Sequence, residues 1–96
     1  MSIHGASIDN LGAEAANELG RARQLHGAMR GPHEGYAVIL EELDELWDEV
    51  RAKEPDYGRM RKEALQIAAM ALRFVYDVCD SRRAAHEPKG EKPDAR

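Results

Sequence analysis

The run Glu41-Glu42-Leu43-Asp44-Glu45-Leu46-Trp47-Asp48-Glu49 packs six carboxylates into nine positions. On a helix, Glu42 and Glu45 stand three residues apart, roughly 60° around the axis, with side chains one turn above another. Glu41 lies one turn from Glu45, so the three acids can converge on a point just off the helix. Like charges this close repel and destabilise an isolated helix. A divalent cation removes that penalty. Further on, Glu63 and Gln66 repeat the three-residue spacing, and Glu63 falls between Ile67 and Met70 around the wheel. A glutamate so near an apolar sector needs a partner if buried. Antiparallel packing of the two helices brings Glu63 opposite Glu42 and Glu45. Hard oxygen ligands from facing helices then make a magnesium site, with waters and substrate phosphates completing the octahedron. The plain alternative is a solvated acidic face, which is how Asp44 and Asp48 read.

Three helical segments are needed to position these residues. Ile8, Leu11, Ala15, Leu19, Ala22, Leu25 and Met29 recur at steps of three and four, which predicts a first helix over about residues 8–29. Ser7 or Asp9 suits its start. Gly12, Gly20 and Gly27 each weaken it by up to about 1 kcal/mol relative to Ala. Gly31-Pro32 breaks the chain and opens a second helix, about residues 32–53, since proline suits a first turn. Its apolar stripe is Tyr36, Ile39, Leu40, Leu43, Leu46, Trp47 and Val50, so Trp47 reads as core. Glu54-Pro55 ends it, because the residue before proline leaves helical geometry. Asp56 caps a third helix, about residues 57–83.

That third helix is apolar around well over half its circumference, so it must be covered on several sides. Three helices of one chain cannot surround it, and Ala68, Ala69 and Ala71 permit close approach of another helix. The expectation is an all-α fold: three main helices in an antiparallel bundle completed by a homodimer or homotetramer. Residues 1–83 form the expected single domain. Residues 84–96 hold Pro88, Gly90 and Pro93 among charges and read as a disordered polar tail.

The 96 residues and 10.7 kDa leave room for one small core. Fourteen Lys and Arg against eighteen Asp and Glu give a net charge of −4, with a pI near 5.5. That balance argues against duplex-DNA binding, which draws affinity from excess positive charge. The lone Cys79 permits no intrachain disulfide and reads as an inert packed thiol. No apolar run approaches the roughly 20 residues that span a bilayer, and no secretory signal opens the chain. A soluble, cytoplasmic protein without a membrane partner is expected. Neither a helical zinc motif built on His26 or His33 nor a phosphate-cradling glycine loop is present.

Glu41-Glu42-x-x-Glu45, an interval, then Glu63-x-x-Gln66 resembles the paired motif of the all-alpha nucleoside triphosphate pyrophosphatases, the MazG-like group. That group carries Glu-Glu-x-x-Glu followed by Glu-x-x-Asp on the next long helix. The flanking His33-Glu34-Gly35-Tyr36-Ala37-Val38-Ile39-Leu40 and Gln66-Ile67-Ala68-Ala69-Met70-Ala71 are similar to small phage and bacterial members. The resemblance covers about residues 31–80, half the chain. It implies hydrolysis of a nucleoside or deoxynucleoside triphosphate to monophosphate and pyrophosphate, with magnesium (or manganese) held by Glu42, Glu45, Glu63 and Gln66. It also implies work as a dimer or tetramer. Glu41 is then the candidate to orient or deprotonate the attacking water.

Gln66 departs from that motif, where aspartate is usual. An amide oxygen can ligate magnesium, but it is neutral and a weaker ligand for a hard cation. Asp77 shares nearly the same face but lies about 16 Å along the axis, too far to replace it. Arg59, Lys62 and Arg73 flank Gln66 within roughly 60° and are the nearest cations for a triphosphate; they read equally as a solvated polar stripe. Two functions therefore compete: a magnesium-dependent pyrophosphohydrolase, and a catalytically impaired nucleotide- or metal-binding module acting as an oligomeric regulator.

Overall fold

The structure, a computed structural model, describes residues 7–81. It is all-α: helices α1 (Ile8–His26), α2 (Pro32–Val50) and α3 (Tyr57–Phe74), the last continuing into a π-helical segment at Val75–Asp80. No strand occurs among the described residues. The expected tail lies outside them.

Local chemistry sets each helix start. The Ser7 hydroxyl accepts the Asn10 N–H at 3.1 Å, Pro32 occupies the first turn of α2, and the Asp56 carboxylate accepts the Arg59 N–H at 3.1 Å. α1 and α2 end earlier than periodicity predicts, while the third helical run continues to the last described residue. α1 stops at His26 because Gly27 adopts φ 75°, a left-handed conformation that costs glycine nothing, and returns its N–H to the Arg23 carbonyl. α2 stops at Val50, and α3 gives way to the wider π turn at Val75.

α3 is the central element, packed against α2 along one side and α1 along another. The core is small: Ala15, Met29, Ala69, Met70 and Val78, with Arg73 and Asp77 buried beside them. Gly35 of α2 lies against the Phe74 ring of α3. A Cβ there would run into the Phe74 ring, 2.7 Å from Cε2, and 3.1 Å from Met29 Sδ.

α2 turns only Ile39 and Leu46 of its expected apolar stripe inward. Gly35, Val38, Ile39, Glu42, Leu46 and Glu49 are its sheltered positions, whereas Tyr36, Leu40, Leu43, Trp47 and Val50 are exposed, Trp47 by 58%. Gly35 lies on that inner edge, where the absence of a Cβ leaves room for the Phe74 ring. Trp47 is thus a surface residue in this chain, and Cys79 is exposed rather than packed. α3 likewise leaves Ala64, Ala68, Ala71, Leu72 and Val75 exposed. At 100° per residue both bare stripes sit about 110° from the line joining the two helices. Because α2 and α3 run antiparallel, they lie on the same side of the pair and form one apolar face. No described helix is long and apolar enough to cross a membrane.

Candidate metal centre

The α2–α3 seam brings Glu42, Glu45 and Glu63 together. One carboxylate oxygen from each lies within 4.8 Å of the others. Glu42 and Glu45 come from successive turns of α2, and Glu63 reaches across from α3 because the short link at residues 51–56 forces the two helices antiparallel.

Three carboxylates this close cannot all stay ionised cheaply. Burial, then the neighbouring charges of Glu45 and Glu63, push the Glu42 carboxyl up to about 7. Glu63 is raised for the same reasons, burial first and Glu45 second. Glu42 Oε1 is buried and has no hydrogen-bond partner. A buried acceptor among like charges calls for a proton or a cation as its partner. Three hard oxygens from two rigid helices suit magnesium or manganese, which keep several water positions for a substrate. The residues present fit such an ion.

Glu42 also forms part of the wall of an open cleft of about 450 Å³ between the three helices, together with Glu18, Arg21, Glu41, Gln66 and Arg73. Glu41 is exposed at this cleft, where a side chain can reach solvent and ligand together. Gln66 is in the wall, but its amide nitrogen donates to Glu18 Oε2 at 2.7 Å. Of the three expected cations, Arg73 alone reaches the cleft, and it is buried, its Nη2 donating to the Gly27 carbonyl at 2.9 Å. Lys62 lines a smaller adjoining depression with Glu18 and Gln66, and Arg59 pairs with Glu49 at 3.6 Å along the seam.

Sequence reading attached no function to α1, yet α1 supplies one wall of the cleft. Glu18 and Arg21, paired at 3.2 Å, are its polar contribution. The available signal was Glu14, Glu18 and Arg21 at four- and three-residue spacing along the polar side of α1. Glu18 is held below the usual carboxylate range by the Gln66 hydrogen bond first, against some burial, and by Arg21. His26 also borders the cleft, at the end of α1.

Comparison of the chain with protein-family models, with curated proteins and with solved structures finds no match in any of the three.

Proposed function

We propose that the chain is a magnesium-dependent nucleoside triphosphate pyrophosphohydrolase of the MazG-like type, converting an NTP or dNTP to monophosphate and pyrophosphate. The observation that carries this reading is the triad of Glu42, Glu45 and Glu63 on facing helices, with the unpartnered Glu42 Oε1 at the wall of an open cleft. A bound divalent ion supplies charge neutralisation for the phosphates and for the oxygens that gain charge during displacement. The three glutamates hold that ion. Glu41, exposed in the same cleft, accepts the proton of the attacking water. Water oxygen joins the α-phosphorus as its bond to the bridging oxygen breaks, and pyrophosphate leaves with that electron pair. Arg21 is at hand for the departing phosphates, with Arg73 fixed at the inner wall and Lys62 nearby.

The apolar face on α2 and α3 belongs to the same reading. Tyr36, Leu40, Leu43, Trp47 and Val50 follow alternating four- and three-residue steps, the spacing of a helix–helix seam. A second copy of the chain covers it, in a homodimer or a homotetramer.

One observation favours the competing class. Gln66 donates its amide to Glu18 and brings no negative charge to the metal, which supports a nucleotide- or metal-binding module with impaired turnover. A panel of nucleoside and deoxynucleoside triphosphates, incubated with magnesium or manganese and resolved for monophosphate and pyrophosphate, separates the two. Turnover by the parent chain that is lost in Glu45→Ala upholds the enzyme. Turnover that arises only in Gln66→Asp assigns the present chain to the binding class. No turnover by either, with metal binding intact, removes the pyrophosphatase reading.

A further inference from the structure

The contacts between the three helices fix the register of the cleft they enclose. α1 runs in the same direction as α3, since Glu18 meets Gln66 and the Gly27 carbonyl meets Arg73. α2 runs against them, with Glu42 near Glu63 and Gly35 on the Phe74 ring. Gln66, Met70 and Arg73 form one stripe of α3, four and then three residues apart. The wall is therefore polar at the Glu42 and Gln66 end, apolar at the middle level of Ala22, Val38 and Met70, and cationic at the far end. Arg73 is 4% exposed there, and its donors are poorly matched. Nη2 donates to the Gly27 carbonyl at 2.9 Å, but Nη1 meets the Met70 thioether at 3.5 Å, a weak acceptor from a residue of the same wall. Nε is buried without a hydrogen-bond partner, Asp77 standing 3.7 Å away. We infer that Arg73 is a specificity-determining residue, selecting a nucleobase that carries an oxo rather than an amino group on its far edge. This rests on the nucleotide reading of the cleft.

The order of the three levels suits a nucleotide laid along the cleft. Phosphates belong at the Glu42 end, a flat ring fits the apolar middle level, and the outer edge of the ring then meets Arg73. Gln66 and Arg73 stand seven residues apart, about 10 Å along the helix, comparable to the length of a nucleoside. A guanidinium has donors alone. An exocyclic oxo group accepts from it, whereas an exocyclic amino group turns a second donor toward it and leaves both unpaired in a nearly dry site. Hypoxanthine and adenine differ in this way at one edge, as do uracil and cytosine. A phosphate at Arg73 is the poorer match: Asp77 already faces the guanidinium, and Glu34 lines the same end of the cleft, so a further anion gains little there and is repelled by Glu34. A neutral acceptor pairs with Nη1 at no such cost.

The test is calorimetric binding, in magnesium, of α,β-imido triphosphates that resist cleavage, carrying hypoxanthine, adenine, uracil or cytosine. The parent chain is expected to bind each oxo base at least about tenfold more tightly than its amino counterpart, the scale of one hydrogen bond to a charged group. Arg73→Lys keeps a cation beside Asp77 but loses the planar fork, and it is expected to erase most of that preference, with circular dichroism checking its fold. In the parent chain, the Arg73 guanidinium resonance should move with the oxo analogues and stay in place with the amino ones. Equal binding of the paired bases by the parent overturns the inference without recourse to a variant. So does a guanidinium resonance that ignores the base, or a full preference retained by folded Arg73→Lys. An equal loss for all four analogues in Arg73→Lys overturns it too, and marks Arg73 as a phosphate contact. If the parent binds none of the four and turns over no triphosphate, the nucleotide reading itself fails, and this inference falls with it.

Discussion

The Asp77 carboxylate accepts the backbone N–H of Met29 at 2.9 Å, pinning the link between α1 and α2 to the π-helical end of the chain's central helix. Its other oxygen accepts from Arg23 Nε at 2.9 Å, and Arg73 lies 3.7 Å away with its side chain almost wholly enclosed. Asp77 sits within the π turn and is buried, and this anion meets the Arg23 and Arg73 guanidiniums as well as the Met29 amide. Asp77 is therefore structural and has no part in the acidic triad. Asp77→Ala strands Arg73 as a buried cation, and the expected loss is about 3–5 kcal/mol, the range for breaking a buried pair from one side. Chemical denaturation checks it. A midpoint within error of the parent would contradict the role.

The pH dependence of the metal-free protein follows from Glu42. Its carboxyl is raised from 4.5 to about 7, so the folded chain holds a proton that the unfolded chain releases. The associated stability is fully present below about pH 4.5 and is lost as pH rises through about 7. In chelator, the melting temperature should decline across that window, and Glu42→Gln should flatten the decline. A parent profile that rises steadily from pH 5 to 7.5 would refute the assignment.

Metal addition should reverse the same penalty. An ion that binds only the folded chain stabilises it by about 2.7 kcal/mol at one hundred times its dissociation constant. Magnesium and manganese are expected to raise the melting temperature of the parent at pH 7.5 and to do little for Glu45→Ala. Equal responses from both proteins would remove Glu45 from the site.

Two glycines should respond in opposite directions. At Gly20 a Cβ meets nothing within 4 Å, so Gly20→Ala should stabilise by about 0.5–1 kcal/mol through helix propensity alone. At Gly35 the Cβ strikes the Phe74 ring. Displacing that ring costs about 1–3 kcal/mol, more than the propensity gained. Thermal melts of the two variants decide, and a stabilised Gly35→Ala would mean the helices part easily.

The outward stripe of α2 makes a prediction about association. Leu43 and Trp47 are half exposed within one chain, so glutamate at either position should leave helicity unchanged by circular dichroism. In the self-associating reading it should also convert the assembly to monomer by light scattering. A parent chain that is already a well-folded monomer at micromolar concentration would sink that reading.

Local chemistry made much of this protein readable from its residues. Ser7, Pro32 and Asp56 open helices because a cap or a fixed φ acts within one turn. The spacing of Glu42 and Glu45 announced a shared face because helical geometry alone sets which side chains stand one turn apart, whereas Glu63 joins them through the antiparallel packing of α3. Tertiary packing decided the rest. α2 has two candidate faces, and the one carrying Gly35, with the Phe74 ring against it, meets α3 in place of the one carrying Trp47. Trp47 was left outside as a consequence. Gln66 looked like a lone weak ligand because its partner, Glu18, is distant in sequence and adjacent only once α1 lies against α3. Asp77 shows the same limit: its partners Arg23 and Met29 belong to the opposite end of the chain, and no local pattern foretells a bond that exists only after the helices have packed.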